Sequence, residues 1–313
     1  MAGETARAGA VGQALLAIGD QWTLLILQRA FHLRVRRFAD WRDALGVSES
    51  VLSARLKELQ AGGLLAPSPY RTDGRTRTEY LLTEKSLDLW PLLIALWSWE
   101  RAWVPRRAAL PALLHHGCGA PTDADLGCAA CGAAPVTARD VATERGAATF
   151  AQVAVPRLHR RTVRPPAQDD PLSYFPETFE ILGDRWATVL LAASLLGVRR
   201  FADYERELGV APSVLAGRLR RFTDLGVLAL DAADGRPRYR LTDKGLAFFG
   251  VFALLTDWAQ RWYTGPPGTD LRLVHRACGR RLRPFLRCRG CGQALERTAV
   301  GFAPAGGAAP AGR

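Results

Sequence analysis

Apolar residues along this chain fall into blocks of helical period separated by short strand-like runs. Ala14–Leu33 is apolar at helical spacing, with Trp22, Leu25, Ile26 and Arg29 following one another around successive turns. An aromatic at such a position as Trp22 reads as core packing rather than as a ligand-stacking residue. A short helix is expected over Phe38–Leu45, then a tight turn at Gly46-Val47-Ser48, then a second helix from about Glu49 to Ala61. Ser48 suits the N-cap, and Glu49 sits where the helix dipole favours an acid. Leu52, Leu56 and Leu59 fall on one face of that second helix and point it at a core. Two strand-like runs follow, Gly63–Ala66 and Glu79–Leu82, flanking a loop with the hairpin dipeptide Asp73-Gly74. Trp22–Leu27 and Leu89–Trp97 are the longest apolar runs, short of the ~18 residues a membrane span needs. Both suit buried helices.

The same order of blocks then returns. IGDQW at 18–22 recurs as LGDRW at 182–186, RRFAD at 36–40 as RRFAD at 199–203, and VLSARL at 51–56 as VLAGRL at 214–219. YLLTEK at 80–85 recurs as YRLTDK at 239–244, and Trp99 and Trp103 correspond to Trp258 and Trp262. The chain is a tandem duplication. In the second copy Pro212 stands at the helix start and Leu215, Leu219 and Phe222 take the core-facing positions. The division expected from these blocks is a disordered N-terminus over 1–11, a first domain over 12–104 and a Cys-bearing segment over 105–144. A Pro- and Arg-rich linker over 145–171, a second domain over 172–264, a second Cys segment over 265–302 and a low-complexity tail over 303–313 complete it.

A short helix, a Gly-bearing turn and a second helix spell helix-turn-helix. The outward face of the second helix is Ser50, Ser53, Ala54 and Lys57 in the first copy, and Ser213, Ala216, Gly217 and Arg220 in the second. Small and polar residues with one cation let a helix lie deep in a major groove. Arg55 and Arg218 recur at one helix position and are expected to hold phosphates. The hairpin that follows carries Arg71, Arg75 and Arg77 in the first copy, and Arg236 and Arg238 beside Asp234-Gly235 in the second. A basic hairpin directly after a recognition helix is a wing, with cations suited to the DNA backbone.

Charge agrees with this. The 313 residues carry a formal net charge of +12, which points to a polyanionic partner. The blocks GDQW, RRFAD, VLSARLKEL, GLL and EYLLTEK, in order and twice, resemble the HxlR-type winged helix-turn-helix transcriptional regulators over roughly 12–104 and 176–263. The resemblance implies a double-stranded DNA partner and dimers held by helices at the two ends of the domain. Many members carry a redox-sensing Cys shortly before the first helix; the stretches ARAGAVGQAL and PLSYFPETFEIL contain none.

All six Cys lie in two 18-residue segments, HHGCGAPTDADLGCAACG from His115 and HRACGRRLRPFLRCRGCG from His275, which share seven identities. Each reads His, Cys, Cys, Cys at the spacing of a zinc ribbon whose first Cys is replaced by His. The expected ligands are His115, Cys118, Cys128 and Cys131 in one segment and His275, Cys278, Cys288 and Cys291 in the other, giving two structural zinc ions per chain. Gly119, Gly132, Gly279 and Gly292 permit the turn round the metal. A catalytic zinc would keep an open position, and no acid or base recurs in both segments to serve one.

The expected architecture is mainly α with small β-hairpins: two winged helix-turn-helix domains, each with a C-terminal zinc-ribbon-like hairpin. The expected function is a cytoplasmic, sequence-specific DNA-binding transcription regulator without catalytic residues and without a membrane partner. Its two domains would pair within one chain as a pseudo-dimer, with a dimer of chains as the alternative arrangement. The competing readings are a protein-interaction scaffold with degenerate DNA binding and a zinc-dependent enzyme.

Overall fold

The computed structural model describes residues 8–105, 110–150, 176–183, 185–232 and 236–302. The expectations for residues 1–7, for 151–171 of the linker, for the tail 303–313 and for Asp234-Gly235 fall outside these.

The stretch of helical spacing over Ala14–Leu33 is built as two helices, α1 (Ala10–Ile18) and α2 (Gln21–His32), bent by 79°. The break lies in the repeated GD motif. A Cβ on Gly19 would stand 2.3 Å from the Leu15 carbonyl oxygen, and Asp20 caps α2 by accepting from the backbone N–H of Trp22 and Thr23 at 3.0 and 3.2 Å. Among the described residues no single helix is long and apolar enough to cross a membrane. Helices α3 (Phe38–Leu45) and α4 (Glu49–Ala61) follow with the expected limits, joined through Gly46 at φ 59°. Ser48 caps α4, and Leu52, Leu56 and Leu59 are fully buried.

The wing is longer than the apolar runs suggest: β1 (Leu65–Thr72) pairs antiparallel with β2 (Arg75–Leu82). Pro67 and Pro69 lie inside β1, which a two-stranded ribbon allows because its outer edge needs no donors. Asp73 and Gly74 turn the ribbon with φ of 48° and 71°, as a two-residue hairpin requires. Helices α5 (Glu84–Leu87) and α6 (Trp90–Trp103) close the first unit.

The second unit repeats it with α7 (Pro176–Leu182), α8 (Arg185–Leu195), α9 (Phe201–Leu208), α10 (Pro212–Asp224), β7 (Leu228–Asp231), β8 (Arg238–Leu241), α11 (Asp243–Ala247) and α12 (Phe249–Trp262). In both units the backbone before the first helix of the pair joins the wing: Tyr80 N–H donates to the Arg36 carbonyl, and Tyr239 N–H to that of Arg199.

The two units pack reciprocally. Helix α1 of the first lies on α12 of the second, α7 of the second lies on α6 of the first, and α6 packs on α12. The Trp99 indole donates to the Lys244 carbonyl at 3.0 Å, and its counterpart Trp258 donates to the Lys85 carbonyl at 2.9 Å. Residues 8–11 therefore do not form part of a disordered terminus. Ala8 is buried, and Gly9 sits tightly against Thr269 of the second Cys segment.

The Cys segments depart most from expectation. They contribute β3 (Leu113–His115), β4 (Ala120–Thr122), β5 (Ala124–Cys128) and β6 (Val141–Arg145) from the first copy. The second copy supplies β9 (Leu271–His275), β10 (Arg280–Arg281), β11 (Pro284–Cys288) and β12 (Val300–Phe302). Each segment makes only a short hairpin of its own, β3 with β4 and β9 with β10. The other pairings, β5 with β11, β6 with β9 and β3 with β12, all cross between copies. The pairing of the first segment with the second also continues past residue 145, where the linker was expected to begin: Gly146 and Ala148 N–H donate to the carbonyls of Asp270 and Gly268.

Candidate DNA interface and metal centres

Helix α4 directs Ser50, Ala54 and Lys57 to solvent and leaves Ser53 half-buried beside them. On α10 the corresponding residues Ser213, Gly217 and Arg220 are exposed, and Ala216 is half-buried. Arg71, Arg75 and Arg77 all stand exposed along the first wing. Arg37, just before α3, lies over the Tyr70 ring at 4.6 Å and adds an exposed cation beside the wing that sequence reasoning did not single out.

Arg55 is not on this surface. Its side chain is 14% exposed and reaches inward, with Nε 3.3 Å from the Asp20 carboxylate and Nη1 2.5 Å from Glu58. It ties the capping residue of α2 to α4, so its expected part as a phosphate anchor is corrected to a brace. Arg218, at the same place in α10, is likewise half-buried with its Nε enclosed. The second wing is also less open. Arg236 is exposed, whereas Arg238 is half-buried with its Nε enclosed, and Arg240 is paired across the ribbon with Asp231 at 2.6 Å.

The eight His and Cys residues gather into two clusters, but not by segment. One holds His115, Cys118, Cys288 and Cys291; the other holds Cys128, Cys131, His275 and Cys278. The expected grouping within each segment is thus corrected to one ligand pair from each copy. The cause is the strand between the pairs. An extended β5 rises by roughly 3.3 Å per residue, so the His115/Cys118 pair at one end and the Cys128/Cys131 pair at the other cannot meet at one ion. Antiparallel pairing with β11 brings the opposite ends of the two segments together instead, as the register Ala124 to Cys288 and Cys128 to Pro284 requires.

In the first cluster Cys118 Sγ lies 3.4 Å from His115 Nδ1 and 4.0 Å from Cys288 Sγ, and Cys291 Sγ lies 3.3 Å from His115 Nδ1. In the second, Cys131 and Cys278 stand 3.3 and 3.4 Å from His275 Nδ1. Tetrahedral zinc, with bonds of about 2.3 Å to sulfur and about 2.0 Å to nitrogen, sets its ligands roughly 3.5–3.8 Å apart. The donor set and spacing therefore fit such an ion, and all six thiols are free. Each pair sits on a turn in which the glycine after the second ligand donates to the first ligand's carbonyl at 2.8–2.9 Å. Those glycines have φ between 65° and 77°, where a side chain is strained.

Burial of Cys288 works against its thiolate. Hydrogen bonds from the Thr122 hydroxyl and from the Cys291 and Gly290 backbone outweigh it and bring the thiol down to about 6. Thr122 belongs to the other copy and had no signal in the ligand spacing.

Residues 17–108 and 181–266 match the HxlR-like helix-turn-helix family, more than half of the chain. The chain belongs to that family. Its HxlR-like units are similar to named transcription regulators. The HTH-type transcriptional regulator Rv3095 of Mycobacterium tuberculosis is 41% identical over 145 residues, 46% of this chain and 90% of its own length. Mb3122 of Mycobacterium bovis gives the same figures, and YvaP of Bacillus subtilis is 32% identical over 92 residues, 28% of this chain and 85% of YvaP. All three are named HTH-type transcriptional regulators. A match that covers nearly a whole relative but less than half of this chain agrees with the duplication.

Proposed function

We propose that this HxlR-like protein is a cytoplasmic, non-enzymatic regulator that binds double-stranded DNA in a sequence-dependent way. Its two winged units act as a dimer contained in one chain. The observation that carries the reading is the reciprocal packing of the units, with Trp99 and Trp258 exchanging the same hydrogen bond across α6 and α12. Ser50, Ser53, Ala54 and Lys57 face one half-site, and Ser213, Ala216, Gly217 and Arg220 face the other. Arg71, Arg75, Arg77 and Arg236 contact the backbone. Because the two faces differ, the operator is two unlike half-sites about one helical turn apart.

His115, Cys118, Cys288 and Cys291 hold one structural zinc, and Cys128, Cys131, His275 and Cys278 a second. Zinc in such closed four-ligand sites supplies folding energy and has no open position for chemistry. Here it would fasten one copy to the other.

Sedimentation of the free protein together with a footprint tests the assembly. The expected result is a monomeric chain protecting two unlike half-sites. A stable dimer of chains protecting a symmetric site of twice that length would overturn it.

A further inference from the structure

One break in the pseudo-symmetry of the two units opens a cavity. At the far end of α12, Arg261 bridges Asp257 Oδ2 at 3.0 Å and Asp88 Oδ2 at 2.7 Å, and Asp88 also accepts from the Trp262 indole at 2.9 Å. This cluster joins α12 to the first unit next to α5. At the equivalent positions, 159 residues away, the residues are Ser98 for Asp257, Ala102 for Arg261, Ala247 for Asp88 and Trp103 for Trp262. Three interlocking side chains are shortened together, and the tryptophan is kept. Pro91 is also replaced by Gly250.

An open cleft of about 840 Å³ lies there, with Ser98, Ala102, Trp103, Ala247 and Gly250 in its lining. Apolar walls come from both units, including Trp99, Phe249 and Leu286. The Ser98 hydroxyl is buried without a hydrogen-bond partner. Among the described residues no acceptor meets the Trp103 indole N–H, whose counterpart binds a carboxylate. The charges around the rim are paired: Arg101 with Asp123 at 2.6 Å, Arg289 with Asp123 and Asp125 at 3.2 and 2.8 Å, and Arg139 with Asp243 at 3.7 Å. A polyanion would find no surplus cation there.

We propose that this cleft binds a small organic acid with an aromatic or similarly flat apolar body. Its carboxylate takes the place that Asp88 fills in the other half and accepts from Trp103, while its body lies against Trp99 and Phe249. The volume falls in the range of small-molecule sites, which run from about 300 to 1,000 Å³ with apolar walls and few polar groups. The site stands independently of the DNA reading.

Equilibrium dialysis of the full chain against naphthoate, with the neutral naphthalenemethanol beside it, tests the proposal. One naphthoate per chain should bind saturably. The triple variant Ser98→Asp, Ala102→Arg, Ala247→Asp copies the closed half and should weaken naphthoate at least tenfold without lowering the melting temperature. Ala247→Leu fills the cleft by a different route and should do the same if the triple variant does not fold. Trp103→Phe should weaken naphthoate several-fold and leave the alcohol unchanged. Absence of saturable binding, or wild-type affinity in both filled variants, overturns the site. Equal losses for acid and alcohol in Trp103→Phe overturn the carboxylate placement.

Discussion

Leu126 on β5 lies directly opposite Leu286 on β11, its own counterpart in the other copy. A residue that pairs with its own duplicate marks a local two-fold axis. Around that axis the two Cys segments exchange ends, and each metal cluster draws one ligand pair from each copy. Leu126 and Leu286 also account for one of the seven identities between the segments.

The exchange is measurable by counting metal. Wild-type protein should carry about two zinc per chain. Cys118→Ser with Cys291→Ser strikes one cluster and should leave about one. Cys118→Ser with Cys131→Ser strikes both and should leave close to none. Self-contained ribbons would give the reverse pattern, and a wild-type value near zero would remove zinc from the account.

Wing and brace arginines should separate in their response to salt. Neutralising Arg71, Arg75 or Arg77 should weaken binding to all duplexes alike and lower the slope of log affinity against log salt by about one unit each. Arg55→Gln should leave that slope in place and lower the melting temperature, because Arg55 holds Asp20 and Glu58. If the wing variants bind with unchanged salt dependence, the wing does not touch DNA.

Acid should weaken the fold partly through His32. Its Nε2 is enclosed without a partner, and the ring meets Phe302 edge-on at 4.9 Å. Burial brings its pKa from 6.5 down to about 4. The unfolded chain therefore takes up a proton that the folded chain refuses. Stability tied to a neutral His32 is present above pH 6.5 and is lost as pH falls toward 4, by roughly 3 kcal/mol in all. His32→Phe keeps the ring packing and should make the stability profile shallower in that window. Identical profiles for variant and wild type would refute this origin.

Glu100 is fully buried in α6, and its Oε2 accepts from the Thr178 hydroxyl at 2.6 Å and the Thr178 backbone N–H at 3.1 Å. It joins the last helix of one unit to the first helix of the other. Its counterpart on α12 is Ala259, so this strut exists on one side only. Glu100→Ala should cost about 2–3 kcal/mol in denaturant titrations, whereas Ala259→Ser should change little. A neutral result for Glu100→Ala would mean that the contact adds nothing to the interface.

Much of this was legible in the residues. The limits of α3 and α4, the Ser48 cap and the core leucines follow from periodicity and capping chemistry, which are local. The His and Cys residues were legible as ligands because their types and short spacings are local too. Their partnership was not, because it depends on which strand β5 pairs with, and pairing is decided by tertiary contacts. One sign was available: RRLRPFLR between Cys278 and Cys288 contains no turn dipeptide, so nothing within it brings Cys288 back beside Cys278. The placement of Arg55 escaped for a related reason. Its periodicity fits the outer edge of α4, but the capping carboxylate of Asp20 lies within reach on a separate helix.

The interlaced clusters also set an order of events during synthesis. Cys118 leaves the ribosome well before Cys288 and Cys291, the last of which lies 173 positions later. At about 5–20 residues per second that is roughly 10–35 s. Through most of that interval the first winged unit can fold on its own local contacts while its four ligands wait, Cys128 and Cys131 for His275 and Cys278, and His115 and Cys118 for Cys288 and Cys291. The Cys128/Cys131 cluster closes once His275 and Cys278 emerge and the other only with Cys288 and Cys291, so a chain truncated shortly before Cys288 would have a finished second winged unit and only one of its two fastenings.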